Sequence, residues 1–255
     1  MSRIAAIALN TFREAVRDKI LYALLIFALL MIGVSMLVAD LAVGEYEKII
    51  KDLGLACINI FGMLIAIFLG IGLVYKEIER KTIYTIASKP VPRWQFLLGK
   101  YFGLGLTLAT EVAVMGIGFA LILWFTGTSE GSQMIPAIWL TFIELMLVTA
   151  IAMLFSCFST PTLSALFTLG LTVISRLTAP LLELAEAGDN PTFQRFAGWL
   201  YRLLPDLQTF NIRAEAAYGR AWDWELIAYA TGYGLLWCTV LVLFSVVIFQ
   251  HRDFK

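Results

Sequence analysis

The sequence predicts an all-α membrane protein with six transmembrane helices, and three observations support this fold class. Of the 255 residues, 60% are apolar and only 15% are charged. Six apolar runs each approach or exceed the roughly 20 residues that a spanning helix needs. The seven prolines lie at the ends of these runs or between them, where they take no hydrogen bond from a helix interior. We expect one domain covering residues 1–255, with spans at 20–39, 53–75, 101–127, 135–158, 162–182 and 226–250.

Residues 1–19 precede the first span and are patterned as an amphipathic helix. Its apolar face is formed by Ala5, Leu9, Phe12 and Val16. Its polar face is formed by Arg3, Asn10, Arg13, Glu14 and Arg17. A helix of this kind lies in the plane of the lipid headgroups. It is either a functional interface helix, with Arg3, Phe12, Arg13 and Arg17 as its candidate residues, or a simple anchor for the first span.

A polar connector, residues 76–100, separates the second and third spans and holds six of the nineteen Lys and Arg residues. The periodicity of its apolar residues predicts a short helix over residues 76–88. Pro90 disfavours helical dihedral angles at Lys89, so this helix should end there. Pro92 suits the first turn of the next helix. The connector is either a surface that docks a separate protein or an ordinary charged loop.

The distribution of Lys and Arg predicts which side of the membrane each loop faces. Twelve of them lie in the N-terminal segment, the connector and the C-terminal tail. The opposite side holds two in its first loop, none in its second, and four in a long third loop, which counts less. Both termini and the connector are therefore expected in the cytoplasm.

Residues 183–225 form the longest segment on the outer side, and part of this segment has helical periodicity. Residues 192–204 place large apolar side chains on one face and Arg195 and Arg202 on another, between Pro191 and Pro205. This pattern predicts an amphipathic helix that lies on the outer leaflet or dips into it. A second short helix is expected at about residues 212–218.

Two charged residues, Glu144 and Arg176, interrupt consecutive apolar spans joined by a tight turn. Each is sixteen residues from Thr160 in that turn, so in an antiparallel pair of helices both lie about 24 Å from it. An unpaired charge in the membrane costs about 2.5 to 3.5 kcal/mol, so we expect the two residues to pair. The pair either braces the two helices or lines a substrate path.

Glu111 is the third intramembrane charge, and only Arg176 offers a basic partner near its expected depth. It is either protonated in a low-dielectric environment or lines a water-filled cavity, where it could serve proton coupling. Nearby, Gly99 and Gly103 form a G-x-x-x-G pattern, which favours close helix packing within the chain or across a dimer.

Several function classes find no support in the sequence. The net charge is zero, so no basic excess indicates nucleic acid as a partner. Cys57, Cys157 and Cys238 lie far apart inside apolar runs and His251 is the only histidine, so no metal site is expected. No G-x-x-x-x-G-K-[ST] loop is present, so the chain is not expected to be an enzyme that hydrolyses ATP by itself.

These segments together resemble one protein family along essentially the whole chain. The N-terminal segment ALNTFREAVRDKILYALLIFALL, the connector pattern E-x-x-T-I-x-x-x-x-S-K-P-V-x-R-W-x-F-L-L-G-K and the outer segment LPDLQTFNIRAEAAYG are similar to the permease subunit of type-2 ABC exporters. The chain departs from the pattern at Lys81, where many members have glycine. The resemblance does not indicate the cargo.

The resemblance implies an exporter in which two permeases, a homodimer or a pair with a related chain, sit on two separate ATP-binding subunits in a bacterial or archaeal cytoplasmic membrane. ATP and Mg would be bound by those subunits, and no cofactor by this chain. The connector would contain the coupling helix that contacts the ATPase, and the outer segment would be re-entrant. The implied coupling residues are Lys76, Glu77, Glu79, Arg80, Lys81, Thr82, Ser88, Pro90 and Arg93.

Two other functions stay open at this point. An ion-coupled secondary transporter would use Glu111, Glu144 and Arg176 and would work without an ATPase. A sensor or scaffold in the membrane would transport nothing.

Overall fold

The computed structural model describes residues 3–40, 45–79, 92–127, 134–188, 190–219 and 222–251; for 73–79 and 251 it describes the backbone alone. Within these ranges the regular structure is helical, with no strand. The helices are α1 (Arg3–Ala15), α2 (Lys19–Asp40), α3 (Tyr46–Glu79), α4 (Arg93–Phe125), α5 (Met134–Ser156), α6 (Pro161–Ala187), α7 (Pro191–Leu203), α8 (Arg213–Ala217) and α9 (Trp224–His251). A short 3-10 helix, Leu207–Phe210, lies between α7 and α8.

Six of these helices, namely α2, α3, α4, α5, α6 and α9, are long and apolar enough to cross a membrane. The six predicted spans are therefore confirmed. Helices α3 and α5 form the centre of the bundle, since most of their residues are buried, whereas α2, α6 and α9 expose most of theirs. Large apolar side chains on the exposed faces, such as Leu37, Ile117 and Leu236, suit contact with lipid.

Helix α3 begins at Tyr46, seven residues before the predicted start of the second span at residue 53. Lys48 and Lys51, the two basic residues expected in the first outer loop, lie in the first turns of this helix. Lys51 is only 3% exposed, and Ile50 beside it is fully buried. The first turns of α3 are thus helical because they pack against α8 and the rest of the bundle, an arrangement that charge counting does not reveal.

Helix α6 continues to Ala187, five residues past the predicted end of the fifth span at residue 182, with Pro180 inside the helix. A proline has no N–H, so Pro180 cannot donate to the carbonyl of Arg176 four residues earlier. Membrane helices tolerate this loss where neighbouring groups satisfy the freed carbonyl. A proline near the edge of an apolar run therefore did not mark the end of the helix.

The segment between α6 and α9 is helical where the sequence predicts helices. Helix α7 is capped by Asn190, whose Oδ1 accepts hydrogen bonds from the N–H groups of Thr192 (3.1 Å) and Phe193 (3.4 Å). It packs against α6. After α7 the chain turns into the bundle, where Leu207 and Phe210 are buried in the core.

Candidate functional site

A polar cluster joins three membrane-spanning helices in the interior of the bundle. Nη2 of Arg176 on α6 donates to Oε1 of Glu144 on α5 at 2.5 Å and to Oδ1 of Asn59 on α3 at 2.6 Å. Nδ2 of Asn59 donates to the second carboxylate oxygen, Oε2 of Glu144, at 2.6 Å. Each of the three side chains therefore contacts the other two.

The short turn between α5 and α6 brings the two charges of this cluster to the same depth. Four residues, 157–160, separate the helices, and Pro161 is the first residue of α6. The equal spacing from Thr160 accounts for the matching depth, and the helix rotations that place the side chains face to face are set by packing. The ion pair expected from the sequence is present, while its role stays a prediction.

Burial makes this cluster energetically important. Glu144 is 1% exposed, and an ionised carboxylate at such a site is costly unless it is paired and hydrogen-bonded. Both of its oxygens accept hydrogen bonds. The carboxylate thus links α3, α5 and α6.

Asn59 was missed by the sequence reasoning, although a signal was available. It is a polar amide in the otherwise apolar run of α3. Polar residues inside membrane helices generally have partners on neighbouring helices, so Asn59 could have been proposed as a third member of the Glu144 pair.

Glu111 does not belong to this cluster. It lies on α4, where it is 9% exposed, and its Oε2 has no hydrogen-bond partner within the described part of the chain. Arg176, the partner considered from the sequence, is engaged with Glu144 and Asn59 instead. The geometry thus separates Glu111 from the other two intramembrane charges.

The G-x-x-x-G pattern of α4 packs within the chain, against α1. A Cβ atom on Gly99 would lie 2.7 Å from Cβ of Ile7, and one on Gly103 would lie 2.6 Å from the carbonyl oxygen of Ala8 and from Cβ of Thr11. Only glycine allows two backbones to approach this closely.

Helix α1 therefore buries its small residues Ala8 and Thr11 against α4, and Ala15 is buried as well. Of the candidate interface residues, Arg3, Arg13 and Arg17 are exposed and Phe12 is half-buried. These positions place the basic side chains of this segment on the surface of the bundle.

A buried lysine reinforces the contact between α1 and α4. Lys100, which is 2% exposed, places its Nζ 3.9 Å from Oε2 of Glu14 on α1. The same ammonium group lies 5.6 Å from the centre of the Phe96 ring, within the range of a cation–π interaction.

The same α4 segment also holds the end of α9. Nη1 of Arg93 donates to the carbonyl oxygens of Phe249 (3.3 Å) and Gln250 (3.1 Å). The rings of Phe96 and Phe249 stack with their centres 6.2 Å apart. The first three turns of α4 therefore bind both α1 and α9, and we call residues 93–103 with their partners on these two helices the α4 junction.

Most of the predicted coupling residues precede this junction. Lys76, Glu77 and Glu79 belong to the last turn of α3, of which the backbone alone is described, and Arg93 is the first residue of α4. The predicted short helix over 76–88 largely falls on undescribed positions, as do Arg80, Lys81, Thr82, Ser88 and Pro90.

The sequence was compared with models of known protein families. The family model described as ABC-2 family transporter protein matches residues 5–254, which is nearly the whole chain. No curated protein matches it. The match confirms the resemblance found in the sequence and does not favour a secondary transporter or a scaffold.

Proposed function

Because the chain belongs to the ABC-2 transporter family, we propose that it is the permease subunit of an ABC exporter and moves substrate with energy from ATP hydrolysed by a separate ATPase subunit. ATP and Mg bind to that subunit. The chain itself supplies the path across the membrane and the surfaces that respond to the ATPase.

The α4 junction is the observation that carries this proposal. The connector that the resemblance assigns to the ATPase contact overlaps this junction, since its residues 93–100 are also the first residues of α4. These residues are tied to α1 through Gly99, Gly103 and Lys100, and to α9 through Arg93. A displacement of the connector is thereby passed to three helices at once.

A transport cycle requires two arrangements of the helices that the nucleotide state of the ATPase favours unequally. The α4 junction suits this requirement because it keeps α1, the start of α4 and the end of α9 together while the preceding part of the connector, residues 76–92, moves. The polar cluster of Asn59, Glu144 and Arg176 braces α3, α5 and α6. The substrate then passes along a surface between two permease copies.

The complex contains two permeases, as a homodimer or with a related chain, and two ATPase subunits. It lies in a bacterial or archaeal cytoplasmic membrane with both permease termini inside, since most Lys and Arg residues then face the cytoplasm. The exposed Arg3, Arg13 and Arg17 of the N-terminal segment face the inner headgroups or the ATPase.

Purification in mild detergent, with the permease as bait, tests this assignment. An ATP-binding subunit should be recovered in equal amount, and proteoliposomes with both subunits should transport in an ATP-dependent manner. Transport by the permease alone, driven by a proton or sodium gradient, would contradict the proposal.

A further inference from the structure

An elongated slot opens between α4, α5 and α9 on the side of the bundle that faces away from α1. Its volume is about 410 Å³, within the range of roughly 300 to 1,000 Å³ that is typical of small-molecule sites. Along α9 its wall extends from Leu235 to Leu243, which corresponds to about 12 Å at the rise of an α-helix.

Two contacts bound the slot along the bundle axis. At one end Arg93 and Phe96 of α4 hold the end of α9 at the α4 junction. At the other end Nε1 of Trp139 on α5 donates to Oγ1 of Thr231 on α9 at 3.1 Å. The residues that line the slot on α9, from Leu235 to Leu243, lie between these two contacts along the helix.

The wall of the slot is suited to hydrocarbon. The Tyr101 hydroxyl donates to the carbonyl of Met146 at 3.2 Å, and the Thr239 hydroxyl donates to that of Leu235 at 2.8 Å. With the Trp139 indole also engaged, these groups already have partners within the protein. A bound water needs two to four polar partners, so the slot provides few hydrogen-bonding groups for a water molecule.

All three walls belong to helices that can span a membrane, and the rim residues Phe102, Leu235 and Leu243 are each more than half exposed. The slot therefore opens to the hydrocarbon region of the bilayer. We propose that it binds one acyl chain of a bilayer phospholipid, aligned with α9. This inference requires only that the chain spans a membrane and is independent of the proposed transport function.

A photoactivatable phosphatidylethanolamine with a diazirine in the middle of its acyl chain tests this site. The full-length permease, together with any subunit that co-purifies with it, is reconstituted with this lipid, irradiated and mapped by peptide mass spectrometry. Labelling is expected at Ile143 and Met146, because these recessed residues meet lipid only through the slot. Ile117, which is 62% exposed on α4 and does not line the slot, reports ordinary contact with the bilayer.

Two neighbouring leucines on α9 give a matched pair of variants. Leu235 lines the slot and Leu236 does not, and both are more than half exposed. Leu235→Trp should lower labelling of Ile143 and Met146 about tenfold relative to Ile117, the change expected when occupancy costs about 1.4 kcal/mol more. Leu236→Trp should leave this ratio unchanged. If Leu235→Trp does not fold, Leu243→Trp and Phe244→Trp, which are equally exposed at 59%, replace the pair.

Two results would overturn the proposal. One is that Ile143 and Met146 are not labelled in the native protein, or that they are labelled equally in the slot variant and in its matched control variant. The other is loss of permease–permease crosslinking in the slot variant with unchanged lipid labelling, since a second copy of the chain would then occupy the slot.

Discussion

Glu144 on α5 and Arg176 on α6 face each other at matching distances from the turn that joins their helices, with Oε1 and Nη2 2.5 Å apart. Asn59 binds both of them from α3. A buried pair contributes little net stability relative to apolar residues, but it is costly to break on one side only. The pair therefore acts mainly by specifying how three helices are arranged.

Arg176→Met should destabilise the permease more than the double substitution Glu144→Met with Arg176→Met. The single change leaves a buried carboxylate without its cation, at a cost of about 3 to 5 kcal/mol in soluble proteins and less in membranes. The thermal unfolding midpoint of the purified complex measures both variants. A double variant as stable as the native protein but inactive in transport would place the pair in the substrate path and contradict the bracing role.

Gly103→Ala should loosen α1 from α4. The new Cβ would lie 2.6 Å from the carbonyl oxygen of Ala8, and overpacking of this kind typically costs about 1 to 3 kcal/mol. Gly116→Ala on the same helix is the matched control, since its Cβ would meet nothing closer than Ile138 at 3.5 Å. The control should gain up to about 1 kcal/mol from helix propensity. Equal unfolding midpoints for the two variants would refute the close α1–α4 contact.

Arg93→Gln should free the end of α9, because the carbonyl groups of Phe249 and Gln250 lose a cationic donor. The expected cost is at most about 1 kcal/mol, the size of a charge interaction at a helix end. Amide hydrogen exchange should rise in the last turn of α9 and stay unchanged near Trp224. Arg93→Lys should show an intermediate rise, since it keeps the positive charge. A uniform rise along α9 would indicate general destabilisation instead.

Glu79→Ala combined with Arg80→Ala should uncouple ATP hydrolysis from transport if the connector docks on the ATPase. Hydrolysis in proteoliposomes should continue while transport per ATP hydrolysed falls. Glu186→Ala combined with Arg202→Ala removes the same charges from the side assigned to the exterior and should leave the ratio unchanged. An unaltered ratio in both double variants would contradict the coupling role.

Cysteine labelling tests the orientation predicted from the Lys and Arg counts. In a chain whose three native cysteines are replaced by alanine, Ser88→Cys should react with an impermeant maleimide only in inside-out vesicles. Ser129→Cys, between α4 and α5, should react only in right-side-out vesicles. The reverse pattern would place the connector outside the cell and exclude its contact with a cytoplasmic ATPase.

The positions of the spans and of α7 could be predicted because apolar length and helical periodicity are local properties of a sequence. The ends of the helices differ from the expected ends of the spans where packing overrides local signals. Lys51 is buried within α3, although its charge suggests a loop before the span. Pro180 lies inside α6, although a proline at the edge of an apolar run suggests that the helix ends there. Helix α7 shows the opposite case, since the helix that the periodicity predicts between Pro191 and Pro205 is also the one that the structure forms.

The sequence by itself determined the class of the protein, its six apolar helices and the equal depth of Glu144 and Arg176, since each follows from composition or from spacing along a helix. Only the tertiary structure decided that Asn59 binds this pair and that Glu111 does not. It also decided that Gly99 and Gly103 of α4 pack against α1 of the same chain. These contacts depend on the rotation of each helix about its own axis. That rotation is set by the packing of residues far apart in sequence, as the 85 positions between Asn59 and Glu144 illustrate.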